Sequence, residues 1–207
     1  TVAAPPPGED ALLDTYISHI ALGSQDALAA FDGGPGDVRG EDTVFGLQEG
    51  IVAADGLGGD DVERGGGDLA TGTIHRLWSA GLRVLVLETT KPAAIRRQVA
   101  LCEAVYEGEA TVEELRAVRI EALEQAQSVW AQGAVPVLVD PEGACIARAK
   151  PEVVVDAILA KRNLGTHRDM APLTIALGPG FVAGQDVDVV VETKRGHRLG
   201  RIIREEI

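Results

Sequence analysis

The run Arg64-Gly65-Gly66-Gly67-Asp68-Leu69-Ala70-Thr71-Gly72, followed by a helical pattern and then the apolar stretch Arg83-Val84-Leu85-Val86-Leu87-Glu88, most constrains the fold. Glycines between a strand and a helix open a tight turn and let backbone come close to a phosphate, and Gly65-x-Gly67-x-x-Ala70 fits the dinucleotide fingerprint. The helix N-terminus behind such a turn favours negative charge, so Gly65, Gly67, Asp68 and Thr71 are candidate binding residues. Glu88 closes the next strand about twenty residues on, where an acid can accept hydrogen bonds from a ribose. The bland alternatives are a plain turn and a solvated strand end. The entering strand is a defect in the fit, because Asp60-Asp61-Val62-Glu63 is charged where a central strand is normally apolar.

Charge divides the chain before Arg64. Residues 1–63 hold 13 acidic residues against the single base Arg39, a charge of −12 out of −13 for the whole chain. The same segment carries 11 of the 25 glycines. Residues 32–61 are Gly/Asp-rich with few large apolar side chains, too little to offset the entropy of ordering, and read as a flexible linker. Upstream, Leu12, Leu13, Tyr16, Ile17, Ile20, Leu28 and Phe31 recur at helical spacing, with a hinge at Gly23-Ser24. The expected organisation is an acidic helical and Gly/Asp-rich segment over 1–61, then an α/β domain over 62–207.

In that domain the spacing of Leu69, Ile74, Leu77 and Trp78 predicts a helix ending near Gly81. Pro92 opens an expected helix to about Val105, with Ile95, Val99 and Cys102 on one face. Thr111 and Glu114 have capping-box spacing and predict a helix to about Gln132. Val135–Val139, Val153–Leu159 and Leu173–Leu177 read as buried strands, and Pro136 hints at an edge position for the first of these. Asp186–Thr193 with Arg201–Ile203 reads as a β-hairpin. The fold class is therefore α/β: a Rossmann-like, mostly parallel sheet with helices on both faces and a C-terminal hairpin.

Ligands of parallel sheets sit beyond the carboxyl ends of the strands. Besides the glycine run and Glu88-Thr89-Thr90-Lys91, two loops there are polar. Lys161–Met170 gathers cations, an amide and a carboxylate suited to an anionic, hydrogen-bonding ligand, with Lys161, Asn163 and Asp169 as candidates. Gly178-Pro179-Gly180 can turn backbone N–H groups toward an anion, making Gly178 and Gly180 candidates. A solvated basic loop and an ordinary turn are the alternatives. His75 belongs on a helix surface, and His197 between arginines in an exposed turn.

No apolar run spans a membrane, and no secretory pattern opens the chain, so it reads as soluble and cytoplasmic. Cys102 and Cys145 form no disulfide framework, no metal-ligand spacing is visible, and no nucleophile or general base can be named.

Residues Glu9–Phe31 resemble the first helices of extracytoplasmic-function sigma factors, but no basic DNA-reading helix follows, so nucleic acid is not an expected partner. A broader resemblance rests on Arg64–Gly72 with His75-Arg76-Leu77, on Lys91–Arg97, Glu103–Glu113, Val135–Pro141, Val155–Thr166, Asp169–Pro172, Leu177–Phe181 and Glu192–Gly200. In order and spacing these stretches resemble the YqeB-type proteins associated with selenium-dependent molybdenum hydroxylases. The resemblance implies a cytoplasmic accessory protein for maturation of the molybdenum–selenium cofactor. A nucleotide or a molybdopterin dinucleotide is the ligand suspected, with a molybdenum hydroxylase or another cofactor-maturation protein as partner. The residues leave open an NAD(P)-dependent oxidoreductase and a non-catalytic scaffold or chaperone with an acidic docking segment.

Overall fold

A computed structural model describes residues 60–64 and 66–204. The expected N-terminal helix, Gly65 and all but the last two residues of the Gly/Asp-rich stretch lie outside the described residues.

Among the described residues nine strands form one sheet: β1 (Asp60–Arg64), β2 (Arg83–Glu88), β3 (Glu109–Val112), β4 (Leu115–Ile120), β5 (Val135–Val139), β6 (Val153–Asp156), β7 (Leu173–Leu177), β8 (Val189–Val191) and β9 (Ile202–Ile203). Their spatial order is β3-β4-β5-β2-β1-β6-β7-β8-β9. Every pairing from β4 across to β8 is parallel, and β3 and β9 close the two edges antiparallel. Taken alone, β5-β2-β1-β6-β7-β8 has the doubly wound order 3-2-1-4-5-6 of a Rossmann fold. The charged β1 nonetheless lies at the centre, paired with β6 from Asp61–Val153 to Arg64–Asp156. Ladder hydrogen bonds are made by backbone and need no apolar side chain.

Unbroken apolar runs build the core because the inner strands are covered on both faces. Val84–Leu87, Val153–Val155 and Val189–Val191 are all buried. Helix α1 (Asp68–Ser79) packs Ala70, Ile74 and Leu77 against them. Gly81, at φ +87, ends it with its N–H on the Trp78 carbonyl.

Several expectations are corrected. The helix predicted from Thr111 is instead the β3–β4 hairpin, followed by a 3-10 turn (Leu123–Gln125) and the short α-helix Ala126–Trp130. Leu115 and Ala117 are buried on either side of exposed Arg116, a two-residue alternation that outweighs the cap-like Thr111 and Glu114 and changes phase only at Arg119–Ile120. The helix expected after Pro92 is an irregular segment with 3-10 turns at Arg97–Val99 and Leu101–Glu103, then a single turn of α-helix, Ala104–Glu107. Ile95 and Val99, expected on a buried face, are 65% and 43% exposed. Pro136 sits in an interior strand, tolerated because the β2–β5 ladder begins only at Val137. Finally, β6 reaches β7 through a long loop with one 3-10 turn (Arg168–Met170) and no α-helix, so helical cover is thinner than expected.

Candidate functional site

The strand order reverses between β1 and β6, so the crevice of this sheet opens beyond their carboxyl ends. Two fully buried carboxylates flank it: Glu88 at the end of β2 and Asp156 at the end of β6, 0% and 1% exposed. They stand on either side of β1, about two strand spacings or 10 Å apart.

Glu88 is not the groove-lining ribose acceptor that the fingerprint implies. One carboxylate oxygen accepts the Gly66 N–H at 2.8 Å and the other the Thr89 N–H at 2.9 Å. Its two oxygens brace the glycine turn from within. Gly66 is a sterically demanding position: a Cβ there would lie 3.0 Å from both the Cys102 backbone nitrogen and Glu88 Oε1. Gly67 has an ordinary extended backbone (φ −65, ψ 179) and serves as the N-cap of α1. Its carbonyl accepts the Thr71 N–H at 2.8 Å.

Thr71 is turned inward as well. Its hydroxyl donates to the Gly66 carbonyl (3.2 Å) and accepts the Leu101 N–H (3.0 Å), while the Cys102 N–H donates to the same carbonyl (2.9 Å). The segment after β2 is thereby sewn over the turn. Asp68, the first residue of α1, accepts the Leu69 N–H, and Arg96 donates from Nε and Nη2 to its Oδ2 at 2.9 and 2.7 Å. The helix N-terminus expected to face pyrophosphate thus holds a carboxylate of the chain, already paired.

The other side of the crevice is more open. Asp156 accepts the Ile158 N–H (3.0 Å) and a short hydrogen bond from the Thr166 hydroxyl. Asn163 folds the loop on itself, its Oδ1 accepting the N–H groups of Gly165 and Thr166 at 2.8 Å and its Nδ2 donating to the Thr166 carbonyl at 2.7 Å. Between them Lys161 adopts a left-handed φ of +56, and Lys161 and Arg162 are exposed. Gly180 presses on this backbone: a Cβ there would come within 2.5 Å of the Arg162 nitrogen. A Cβ on Gly178 would lie 2.8 Å from Thr193 Oγ1. The loops after β6, β7 and β8 therefore interlock.

Of the candidates, Lys161, Asn163, Gly178 and Gly180 converge on the β6 side and Gly67, Asp68, Thr71 and Glu88 on the β1 side. Asp169 joins neither group. The loop after β6 must return to the opposite end of the sheet to start β7 in parallel, and Asp169 lies there with Arg168, which pairs Asp188 just before β8. Sequence reasoning missed Gly66, Arg96, Asp156 and Thr166. Asp156 carried the same signal as Glu88, an acid closing an apolar run.

Cys145 offers no nucleophile. Burial, and then the Asp140 carboxylate beside it, push its thiol up to about 12. Alkylation by iodoacetamide at pH 8 is expected to run at least about a hundredfold slower than on free cysteine, read by mass spectrometry of the native protein; a rate within tenfold of free cysteine would contradict this.

The chain is 51% identical over 142 residues to the uncharacterized protein YqeB of Escherichia coli (strain K12). The match takes in 69% of this chain and 26% of that protein, so the chain spans about a quarter of the length of the curated relative it matches. This similarity supports a YqeB-type family for the matched part. No family model matches the chain, and no solved structure matches it. Among the described residues no helix is long and apolar enough to cross a membrane.

Proposed function

From the similarity to YqeB and the build of the crevice, we propose that this chain binds an anionic, phosphate-bearing ligand of nucleotide type between the turns after β1 and β6. A nucleotide-bearing molybdopterin falls in this class, and the cellular role we assign is cytoplasmic accessory protein in the maturation of molybdenum–selenium hydroxylases. The hydroxylase, or another protein of that maturation, is the partner we propose.

The observation that carries the reading is the locking of Gly180 onto the Lys161–Arg162 backbone, which fixes the stretch of chain from which two exposed cationic side chains project beside the switch point. Each charge-assisted bond to phosphate adds about 1.5–3 kcal/mol. The fit differs from the fingerprint's own version. Asp68 with Arg96 occupies the start of α1, so the phosphates rest on Lys161, Arg162 and the Gly178–Gly180 turn, while the Gly66 turn forms the opposite wall. The oxidoreductase alternative depends on Glu88 as ribose acceptor, and that carboxylate already serves two backbone donors.

Calorimetric titration with ADP and with NAD tests the reading. Lys161→Glu combined with Arg162→Glu is expected to weaken binding by about 10–100-fold, consistent with losing one charge-assisted contact or more. Equal affinity in this variant and the parent, or no binding by the parent at millimolar nucleotide, would overturn it.

A further inference from the structure

We infer that His75, Glu113 and Glu114 form a divalent transition-metal site joining α1 to the turn of the β3–β4 hairpin. One ligand atom from each of the three side chains falls in a group whose members all lie within 4.8 Å of one another. His75 Nε2 stands 3.0 Å from Glu114 Oε1 and 3.7 Å from Glu113 Oε2. Ligand atoms about 2.1 Å from a tetrahedral cation are separated by about 3.4 Å, so the trio already has nearly the spacing a metal requires.

The charges argue for a cation more strongly than for a salt bridge. Two adjacent carboxylates converge on one ring nitrogen that carries a single proton at most, so a hydrogen bond satisfies one of them and leaves the other beside a like charge. A divalent ion satisfies all three groups. Glu113, at φ +54 in the hairpin turn, is the neighbour of Glu114 in the chain, and the turn brings both side chains to the same face as His75. His75 is 26% exposed against 75% and 61% for the two glutamates, so the nitrogen is set by packing and the oxygens face an open side.

One imidazole and two carboxylates suit Zn²⁺, Co²⁺ or Mn²⁺ better than Ca²⁺, which prefers six or more oxygens. Three protein ligands also leave a coordination position for water or another donor. The site escapes a spacing search because His75 lies 39 positions before Glu114 and meets the two glutamates only in the fold.

Zn²⁺ titration of the whole chain by calorimetry, with Co²⁺ absorption as a second readout, tests this. One saturable equivalent is expected, with a visible Co²⁺ band. His75→Ala, and separately Glu114→Gln, should each weaken binding at least about tenfold, since loss of even an outer-shell partner has effects of that size. Combined His167→Ala and His197→Ala should leave it unchanged. Thermal unfolding in chelator checks that the variants fold, and Zn²⁺ should raise the midpoint of the parent but not of His75→Ala. Absence of saturable binding by the parent, or equal affinity in His75→Ala, overturns the assignment.

Discussion

Glu88→Ala is expected to lower the unfolding free energy by about 4 kcal/mol, the sum of two hydrogen bonds to a charged acceptor at about 1.5–3 kcal/mol each. Both partners are backbone N–H groups, and the Gly66 donor is left in a buried position where water cannot replace the carboxylate. The expectation rests also on where the bond lies. The β1–β2 ladder is registered at one pair, Asp60 with Arg83, at the opposite end of the strands. Glu88 ties the far end. Without it the Gly66 turn loses its hold on β2, and the Ala100–Cys102 segment above it loses its floor. In a chain of this length the melting temperature should fall by roughly 10 °C. Glu88→Gln separates charge from shape: its amide oxygen can serve one N–H, but its amino group meets the other donor, so it should fall between parent and alanine. A loss below about 1 kcal/mol for alanine would mean that the turn holds itself.

The parts of the fold legible in the sequence are those decided by local pattern. Val84–Leu87 and Leu173–Leu177 read as strands because a strand buried on both faces needs a short unbroken apolar run bounded by polar residues. The end of α1 was legible because Gly81 takes a positive φ that other residues adopt with difficulty. The Thr111 segment misled because two signals competed: Thr111 and Glu114 have the spacing of a helix cap, while Leu115, Arg116 and Ala117 alternate between buried and exposed. Tertiary packing decided for the alternation. Ile95 and Val99 have helical spacing too, yet the chain there is drawn across the glycine turn by the Arg96–Asp68 pair and the Leu101–Thr71 bond.

The site was legible in position more than in detail. An acid ending a strand can be seen in sequence, but whether it faces solvent depends on the donors above it. For Glu88 those are Gly66 and Thr89, and for Asp156 they include Thr166, ten residues along a loop. That Gly66 has no room for a side chain could not be seen locally either, since its close contact comes from Cys102. Asp169 looked like a neighbour of Lys161 because sequence does not show where a loop crosses from one end of a sheet to the other.

Gly180→Ala should be the most damaging single-methyl change in the crevice. The φ of +109 is one that L residues rarely adopt, and the new Cβ would lie 2.5 Å from the Arg162 nitrogen, 2.6 Å from its Cα and 2.8 Å from the Lys161 carbonyl carbon. Those atoms are backbone, so no rotamer relieves the clash, and the loops after β6 and β7 must part. Strain and overpacking each contribute about 1–3 kcal/mol, so a loss of about 3 kcal/mol is expected in urea unfolding. Gly196→Ala supplies the comparison: at φ +127 its Cβ would meet nothing within 4 Å, so it carries the conformational strain alone. The difference between the two variants measures the clash. The same displacement moves Lys161 and Arg162, so nucleotide affinity should drop at least about tenfold in Gly180→Ala under conditions where the variant remains folded. If Gly180→Ala proves as mild as Gly196→Ala in unfolding, the loops are not locked; if it unfolds easily yet binds nucleotide unchanged, Lys161 and Arg162 are not where the phosphates rest.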